Sequence, residues 1–156
     1  DLKLAEIING TREDGTRLRK QFLKNVPALK YLIEAVSAKA KTGQIKGLDG
    51  RTLSVRHQHA ALNTLLQSAG AIVCKRWVNR FHEILQNEYK LDHGKDYRQA
   101  AFVHDEIQVH YRPEKISGET LGEISLRAIL EVGNELGLRI PLASDYKIGD
   151  NYAQCH

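Results

Sequence analysis

The amino-acid sequence predicts an α+β fold in which long amphipathic helices pack with a small antiparallel sheet. Two features of the sequence lead to this prediction. Apolar residues recur at helical intervals over much of the chain, above all between residues 58 and 90. Between residues 100 and 111 the apolar period changes to two, and the charged segment His104-Asp105-Glu106 interrupts the alternation. The predicted sheet therefore has a central hairpin that carries three ionisable side chains.

Length and composition set the outer bounds of the prediction. A chain of 156 residues can form one ordinary domain with a substantial core. Its net charge of +4 permits a polyanionic partner without requiring one. Cys74 and Cys155 lie far apart with no paired spacing, which predicts free thiols in a reducing compartment. No apolar run approaches the roughly 20 residues of a membrane span, and the N-terminus lacks the features of a signal peptide, so we expect a soluble, unexported chain.

The N-terminal part of the sequence predicts three helices. The first, over residues 2–9, should end at Asn9-Gly10, with the glycine in the left-handed cap conformation. Thr11 is a good N-cap for a second helix, and Pro27 favours the start of a third. The basic residues of the second helix form either a solvated face or a track for phosphates: Arg12, Arg17, Arg19, Lys20 and Lys24.

The elements that follow are predicted from turn chemistry and from periodicity. Asp49-Gly50 between two short apolar runs favours a tight hairpin, because such turns need positive φ. Residues 58–90 form the longest helix, and residues 116–136 form another that ends at Gly137. A short strand is expected over Arg139 to Leu142. The alternating apolar residues of the central hairpin are Ala101, Val103, Ile107 and Val109.

The longest helix carries a row of polar side chains. His59, Asn63 and Gln67 are spaced four residues apart, so they share one stripe of an α-helix. This row is either a solvated flank or a set of hydrogen-bond donors for the minor groove of a DNA duplex. The minor groove presents purine N3 and pyrimidine O2 acceptors at every correctly formed base pair. Uncharged amides at these positions would test the geometry of a pair without reading its sequence.

The charged tip of the central hairpin is the second candidate site. His104-Asp105 lacks the glycine or asparagine that two-residue hairpin turns prefer, and a strained tip is often a functional one. Adjacent carboxylates suit Mg²⁺, which takes oxygen ligands and is commonly held by one or two carboxylates plus substrate phosphates. Asp105 is the preferred ligand. The alternatives are a solvated hairpin end and a transition-metal site. That site would combine His57 and His59 with His104 or His110, but it lacks a glutamate at the usual motif spacing.

Two segments of the sequence resemble signatures of the family A DNA polymerases, and most closely those of its phage replicative branch. These segments are HAALNTLLQSAGAIVCK at 59–75 and VHDEIQV at 103–109. Three further segments also resemble the family and occur in the family's order along the chain: FLKNVPALKYL, IKGLDGRTLSVR and GDNYAQCH. The resemblance covers essentially the whole chain. It implies a C-terminal fragment of a polymerase, with fingers residues at 1–45 and palm residues at 46–156, an expectation that also fits the absence of methionine.

The resemblance implies roles for the residues at the hairpin tip. Asp105 would be a catalytic metal ligand of the palm, and Glu106 would be its supporting acidic neighbour. His104 would shape the site of the primer terminus. His156 would lie near the active site, with its carboxylate or imidazole facing the metal ions.

The resemblance also implies a DNA interface and an incomplete active site. Asn63 and Gln67 would contact template and primer in the minor groove, and His59 stands where many relatives have arginine. Nothing here matches the family's other palm motif, Asp-x-Ser-x-x-Glu-Leu-Arg, or its nucleotide-binding helix, Arg-x3-Lys-x6-Tyr-Gly. The complete enzyme would use primer–template DNA, a deoxynucleoside triphosphate and two Mg²⁺ ions in the host cytoplasm. We therefore expect this chain alone to be inactive; a non-enzymatic duplex DNA-binding module is the alternative.

Overall fold

The computed structural model describes residues 2–155, and its mixture of helices and small antiparallel sheets confirms the predicted α+β class. The elements are α1 (Leu2–Ile7), α2 (Arg12–Asn25), α3 (Pro27–Ala40), β1 (Gln44–Lys46), β2 (Thr52–Ser54), a 3₁₀ turn (Gln58–Ala60), α4 (Ala61–Asn87), β3 (Tyr97–Val103), β4 (Glu106–Tyr111), α5 (Gly118–Glu135) and α6 (Tyr152–Cys155). Contacts divide the chain into two compact units, one up to Ala69 and one from Gly70. No helix in the described part of the chain is long and apolar enough to cross a membrane.

Local capping rules fix the helix boundaries of the first unit. The left-handed residue after α1 is Asn9, with φ of 50°, and not Gly10 as predicted. Asparagine tolerates this region because its short polar side chain bonds locally. The N-cap prediction for α2 is confirmed: Asp14 N–H donates to Thr11 Oγ1 at 3.2 Å, and Thr11 N–H donates to Asp14 Oδ2 at 2.9 Å. Pro27 begins α3 as expected.

The first unit has a small core and a large exposed apolar surface. Strands β1 and β2 pair antiparallel through a tight turn in which Gly50 has φ of 82°, which confirms the predicted hairpin. The hairpin packs with α3 and the start of α4 in a cluster made of Val36, Ala40, Ile45, Leu53, Val55, Ala61 and Leu65. Large apolar side chains outside this cluster are exposed, among them Phe22 at 56% and Tyr31 at 75%. Helices α2 and α3 therefore leave much of their apolar surface uncovered.

The second unit contains the larger core, in which α4 and α5 pack with the β3–β4 hairpin. Its buried members are Trp77, Phe81, Ile84, Leu85, Leu91, Tyr97, Ile116, Leu121, Ile124, Ala128 and Ile129. Trp77 Nε1 donates a hydrogen bond to the Ser125 carbonyl at 2.9 Å, which joins the two helices. Ser117 caps the N-terminus of α5, and Gly137, with φ of 64°, follows its C-terminus as predicted.

Ion pairs add a polar connection between α4 and α5. Arg80 Nε lies 2.5 Å from Glu131 Oε2, and Arg127 Nε lies 2.7 Å from Glu131 Oε1. Arg127 also donates to both carboxylate oxygens of Glu88, at 2.6 and 2.7 Å. Partial burial favours a higher Glu131 pKa, but the two arginines outweigh it and lower that pKa overall. The network therefore stays ionised at neutral pH and holds the two helices in one register.

The predicted strand from Arg139 to Leu142 is wrong. Residues 139–142 have no strand pairing, and within residues 2–155 the strands β3 and β4 pair only with each other. A β-strand needs a partner for its backbone N–H and C=O groups. The segment instead packs by its side chain: Leu142 lies against the core cluster and close to Gly133 on α5.

Candidate functional site

The predicted hairpin and its charged tip are confirmed. Strands β3 and β4 pair antiparallel as far as Val103 and Glu106, so that His104 and Asp105 form the turn. His104 has φ of 56°, a left-handed conformation that costs roughly 1–3 kcal/mol in a residue other than glycine. The first position of such turns usually belongs to glycine or asparagine. The structure therefore retains a strained residue directly beside the acidic pair.

A β-bulge interrupts the hairpin four residues before this turn. Gln99 pairs with Val109, whereas the next pair joins Ala101 to Gln108, so Ala100 has no partner on β4. A bulge bends its strand, increases the local twist and shifts the alternation of side chains by one residue. The direction of the strand beyond the bulge therefore differs from that of a regular hairpin.

The two-residue turn places the two predicted apolar sets on opposite faces of the hairpin. Ala101 and Val103 are paired with Gln108 and Glu106, whereas Ile107 lies on the other face, which packs against the core. The predicted alternation thus holds within each strand, but the predicted apolar residues of β3 and β4 do not share one face of the hairpin. Val103 is 39% exposed as a result.

The two carboxylates of the tip have different surroundings. Asp105 is exposed, and among residues 2–155 its side chain has no hydrogen-bond or ion-pair partner. Glu106 is half-buried at the start of β4, where its carboxylate accepts a hydrogen bond from Gln108 Nε2. Only Asp105 therefore offers a carboxylate that is open to an external ligand.

A cavity of about 630 Å³ opens beside the tip. Asp105 and Glu106 line it together with residues of α4, α5 and the C-terminal segment. Burial raises the pKa of the Cys74 thiol, and the negative charge of Asp105 raises it further. Cys74 is therefore a neutral thiol at pH 7, and Asp105 carries negative charge along this wall of the cavity. Both cysteines are free, as predicted.

The predicted row of DNA-binding residues lies in the first unit, and only part of it is α-helical. His59 belongs to the 3₁₀ turn before α4, and its ring stacks on His57 with centroids 5.4 Å apart and an angle of 11° between the planes. Asn63 and Gln67 lie on the first turns of α4, one turn apart. The regular spacing predicted for three residues therefore holds for two.

The amides of Asn63 and Gln67 are available for binding. Both side chains are exposed, and within the described residues neither has a hydrogen-bond partner. Their positions on α4 are separated by about 6 Å along the helix axis. A Cβ added at Gly70, on the same helix, would meet nothing within 4 Å, so packing within the chain does not require glycine there.

The donor set at the tip fits one ligand of a magnesium site. No group of three or more histidine, cysteine, aspartate or glutamate side chains converges on a common point within residues 2–155. An exposed aspartate on a rigid turn nevertheless matches the way Mg²⁺ is held, since one or two carboxylates suffice when substrate phosphates and waters complete the shell. Asp105 can thus supply one protein ligand, with Glu106 adding negative charge beside it. His156 lies outside the described residues.

A polar cluster behind the hairpin was not predicted. His82 on α4 contacts Tyr97 and Gln99 of β3, and His93 packs edge-on against the same group. These residues are separated by 15 and 17 positions from His82, so no periodic pattern connects them. The only available signal was a histidine that directly follows the apolar Phe81 on the predicted helix.

Comparisons with known proteins identify the family of this chain and several of its relatives. The sequence model described as DNA polymerase family A matches residues 1–154, and the chain belongs to this family. The chain is similar to two proteins called DNA-directed DNA polymerase, 40% identical in Enterobacteria phage T3 and 41% in Escherichia phage T7. A third such polymerase, from Escherichia phage Phieco32, is 33% identical. Each comparison covers 100% of this chain but only 24–25% of the relative, so the chain spans about a quarter of their length.

Proposed function

We propose that this chain is the C-terminal section of a DNA-directed DNA polymerase that replicates phage DNA in the cytoplasm of a bacterial host. The observation that carries the proposal is the exposed, unpaired carboxylate of Asp105 on a strained hairpin turn. In this proposal residues 1–45 belong to the fingers and residues 46–156 to the palm. The reaction is template-directed transfer of a nucleotide to a primer 3′-hydroxyl.

In the reaction, this section places charged side chains on one side of the reacting phosphate. Asp105 would hold Mg²⁺ at the tip, and Glu106 would reinforce the negative potential there. In the complete enzyme, two bound Mg²⁺ ions would supply activation of the primer 3′-hydroxyl and charge neutralisation at the leaving pyrophosphate. His104 fixes the turn and shapes the space for the primer terminus. Asn63 and Gln67, with His59 beside them, donate hydrogen bonds to the minor groove near the new base pair.

The remaining parts of the polymerase are partners of this section. Several large apolar side chains of the first unit are exposed, and burying such surface contributes about 25 cal/mol per Å². This surface would contact the section that supplies the second palm aspartate and the nucleotide-binding helix. Among the exposed side chains are Leu2, Ile7, Ile8, Leu18, Phe22, Val26, Tyr31 and Leu32.

The isolated chain should show no templated synthesis, whereas a polymerase that contains it should extend a primer. One exposed carboxylate does not complete a two-ion site, and no helix among residues 2–155 carries the pattern Arg-x3-Lys-x6-Tyr-Gly. The measurement is primer extension with Mg²⁺ on a defined template, using both proteins at equal concentration. Templated extension by the isolated chain would refute the proposed incompleteness, and no extension by the longer protein would refute the proposed function.

Replacing both free amides should weaken the discrimination of matched from mismatched primer termini. In the longer polymerase, Asn63→Ala and Gln67→Ala each remove one hydrogen bond to DNA, worth about 0.5–1.5 kcal/mol. We expect the preference for a matched terminus to fall by about twofold to tenfold per substitution. Asn79→Ala is the control, because Asn79 is another exposed amide on α4. Equal effects of all three substitutions would contradict the assigned minor-groove contacts.

A further inference from the structure

A half-buried histidine of α4 makes two hydrogen bonds to β3. His82 Nε2 lies 2.9 Å from Gln99 Oε1, and His82 Nδ1 lies 2.9 Å from the hydroxyl oxygen of Tyr97. An amide oxygen only accepts hydrogen bonds, so Nε2 carries the proton and donates it to Gln99. In the neutral ring Nδ1 is then an acceptor for the Tyr97 hydroxyl. Both ring nitrogens are therefore used to hold one strand.

Further contacts hold Tyr97 and Gln99, the two partners of His82. Gln99 N–H donates to His93 Nε2 at 3.4 Å, so Gln99 is held through both its side chain and its backbone. The His93 ring packs edge-on against His82 and Tyr97, with centroids 5.2 Å from each. Burial raises the pKa of the Tyr97 hydroxyl, which keeps it protonated as a donor. Tyr97 is 2% exposed and belongs to the core, whereas His82 and Gln99 are half-buried and His93 is exposed.

The cluster holds the strand immediately before its irregular part. Gln99 is the last regularly paired residue before the bulge at Ala100, and the strand then runs to His104 and Asp105. A bulge weakens the ladder locally, so the direction of the strand beyond it depends on how firmly the preceding residues are fixed. The strained conformation of His104 likewise persists only where the surrounding structure determines it fully.

We infer that His82 is a positioning residue for synthesis, which acts through Tyr97 and Gln99 to aim the bulged end of β3 and with it Asp105. This inference rests on the proposed polymerase function and adds a residue that does not touch DNA, nucleotide or metal. Small displacements of a catalytic group reduce rate strongly, by about 10²-fold for 1 Å. Loss of the His82 contacts should therefore lower the rate of the chemical step and leave substrate affinity unchanged.

The test uses the polymerase that contains this chain, with His82→Phe, which keeps a ring but removes both hydrogen bonds. We expect kcat to fall about 10- to 100-fold, while KM for nucleotide and Kd for primer–template change by less than about twofold. Hydrogen exchange of peptides covering residues 97–103, measured by mass spectrometry, should become faster. His110→Phe is the matched control, since His110 is exposed on the partner strand β4.

A gentler variant keeps the inference testable if His82→Phe fails to fold. Tyr97→Phe removes only the hydroxyl that donates to His82 and should lower kcat about twofold to tenfold. Faster exchange without a fall in kcat would overturn the positioning role, and so would unchanged exchange in both variants. Failure of the proposed function is separate, because the unsubstituted polymerase would then extend no primer.

Discussion

Asp105→Asn in the polymerase that contains this chain should slow synthesis strongly while leaving primer–template binding intact. The substitution keeps the size of the side chain but removes the charge of the one exposed, unpaired carboxylate at the hairpin tip. Losing a metal ligand costs several kcal/mol of transition-state stabilisation, so the rate should fall on the order of 10²–10⁴-fold. Single-turnover nucleotide incorporation measures this rate directly, and fluorescence anisotropy measures the binding.

A control is needed to separate the metal role from a general effect of charge. Asp92→Asn provides it, because Asp92 is an exposed aspartate elsewhere in the second unit, whose carboxylate pairs with Lys95 at 3.1 Å. We expect its rate to match that of the unsubstituted enzyme. Unchanged synthesis by Asp105→Asn would reject the metal role and leave a DNA-binding module as the better description of this section.

Trp77→Ala should strongly destabilise the second unit. Trp77 is 5% exposed within the largest core cluster, and its indole N–H donates to the Ser125 carbonyl at 2.9 Å. Removing a buried tryptophan costs about 3–5 kcal/mol, because it leaves a cavity, and here it also removes the indole hydrogen bond to α5. Denaturant unfolding followed by circular dichroism measures the change in the free energy of unfolding. Tryptophan fluorescence is unsuitable, because the substitution removes the single tryptophan of the chain.

Two further substitutions separate the contributions to this loss. Trp77→Phe keeps much of the apolar volume and should recover part of the free energy of unfolding. Tyr89→Ala removes an aromatic side chain that is 44% exposed and should change the free energy of unfolding by less than about 1 kcal/mol. Comparable losses for Tyr89→Ala and Trp77→Ala would contradict the assignment of Trp77 to the main core.

Elements governed by neighbouring residues were predictable from the sequence. The N-cap at Thr11, the Asp49-Gly50 hairpin and the long helix α4 all follow from interactions within a few positions along the chain. The acidic hairpin tip was predictable for the same reason, since strands and turn are contiguous. The false strand at Arg139 to Leu142 marks the limit, because a strand depends on a partner that local sequence does not specify.

The sequence by itself determined the helices, the two hairpins and the order of the motifs that resemble family A polymerases, because these depend on local periodicity and turn chemistry. Only the tertiary structure decided the bulge at Ala100, the left-handed His104 and the contacts of His82 with β3. The bulge and the turn conformation depend on how β3 and β4 pair, and the His82 contacts join residues 15 and 17 positions apart. Their geometry depends on how packing and hydrogen bonding balance across the core, and no local pattern encodes that balance.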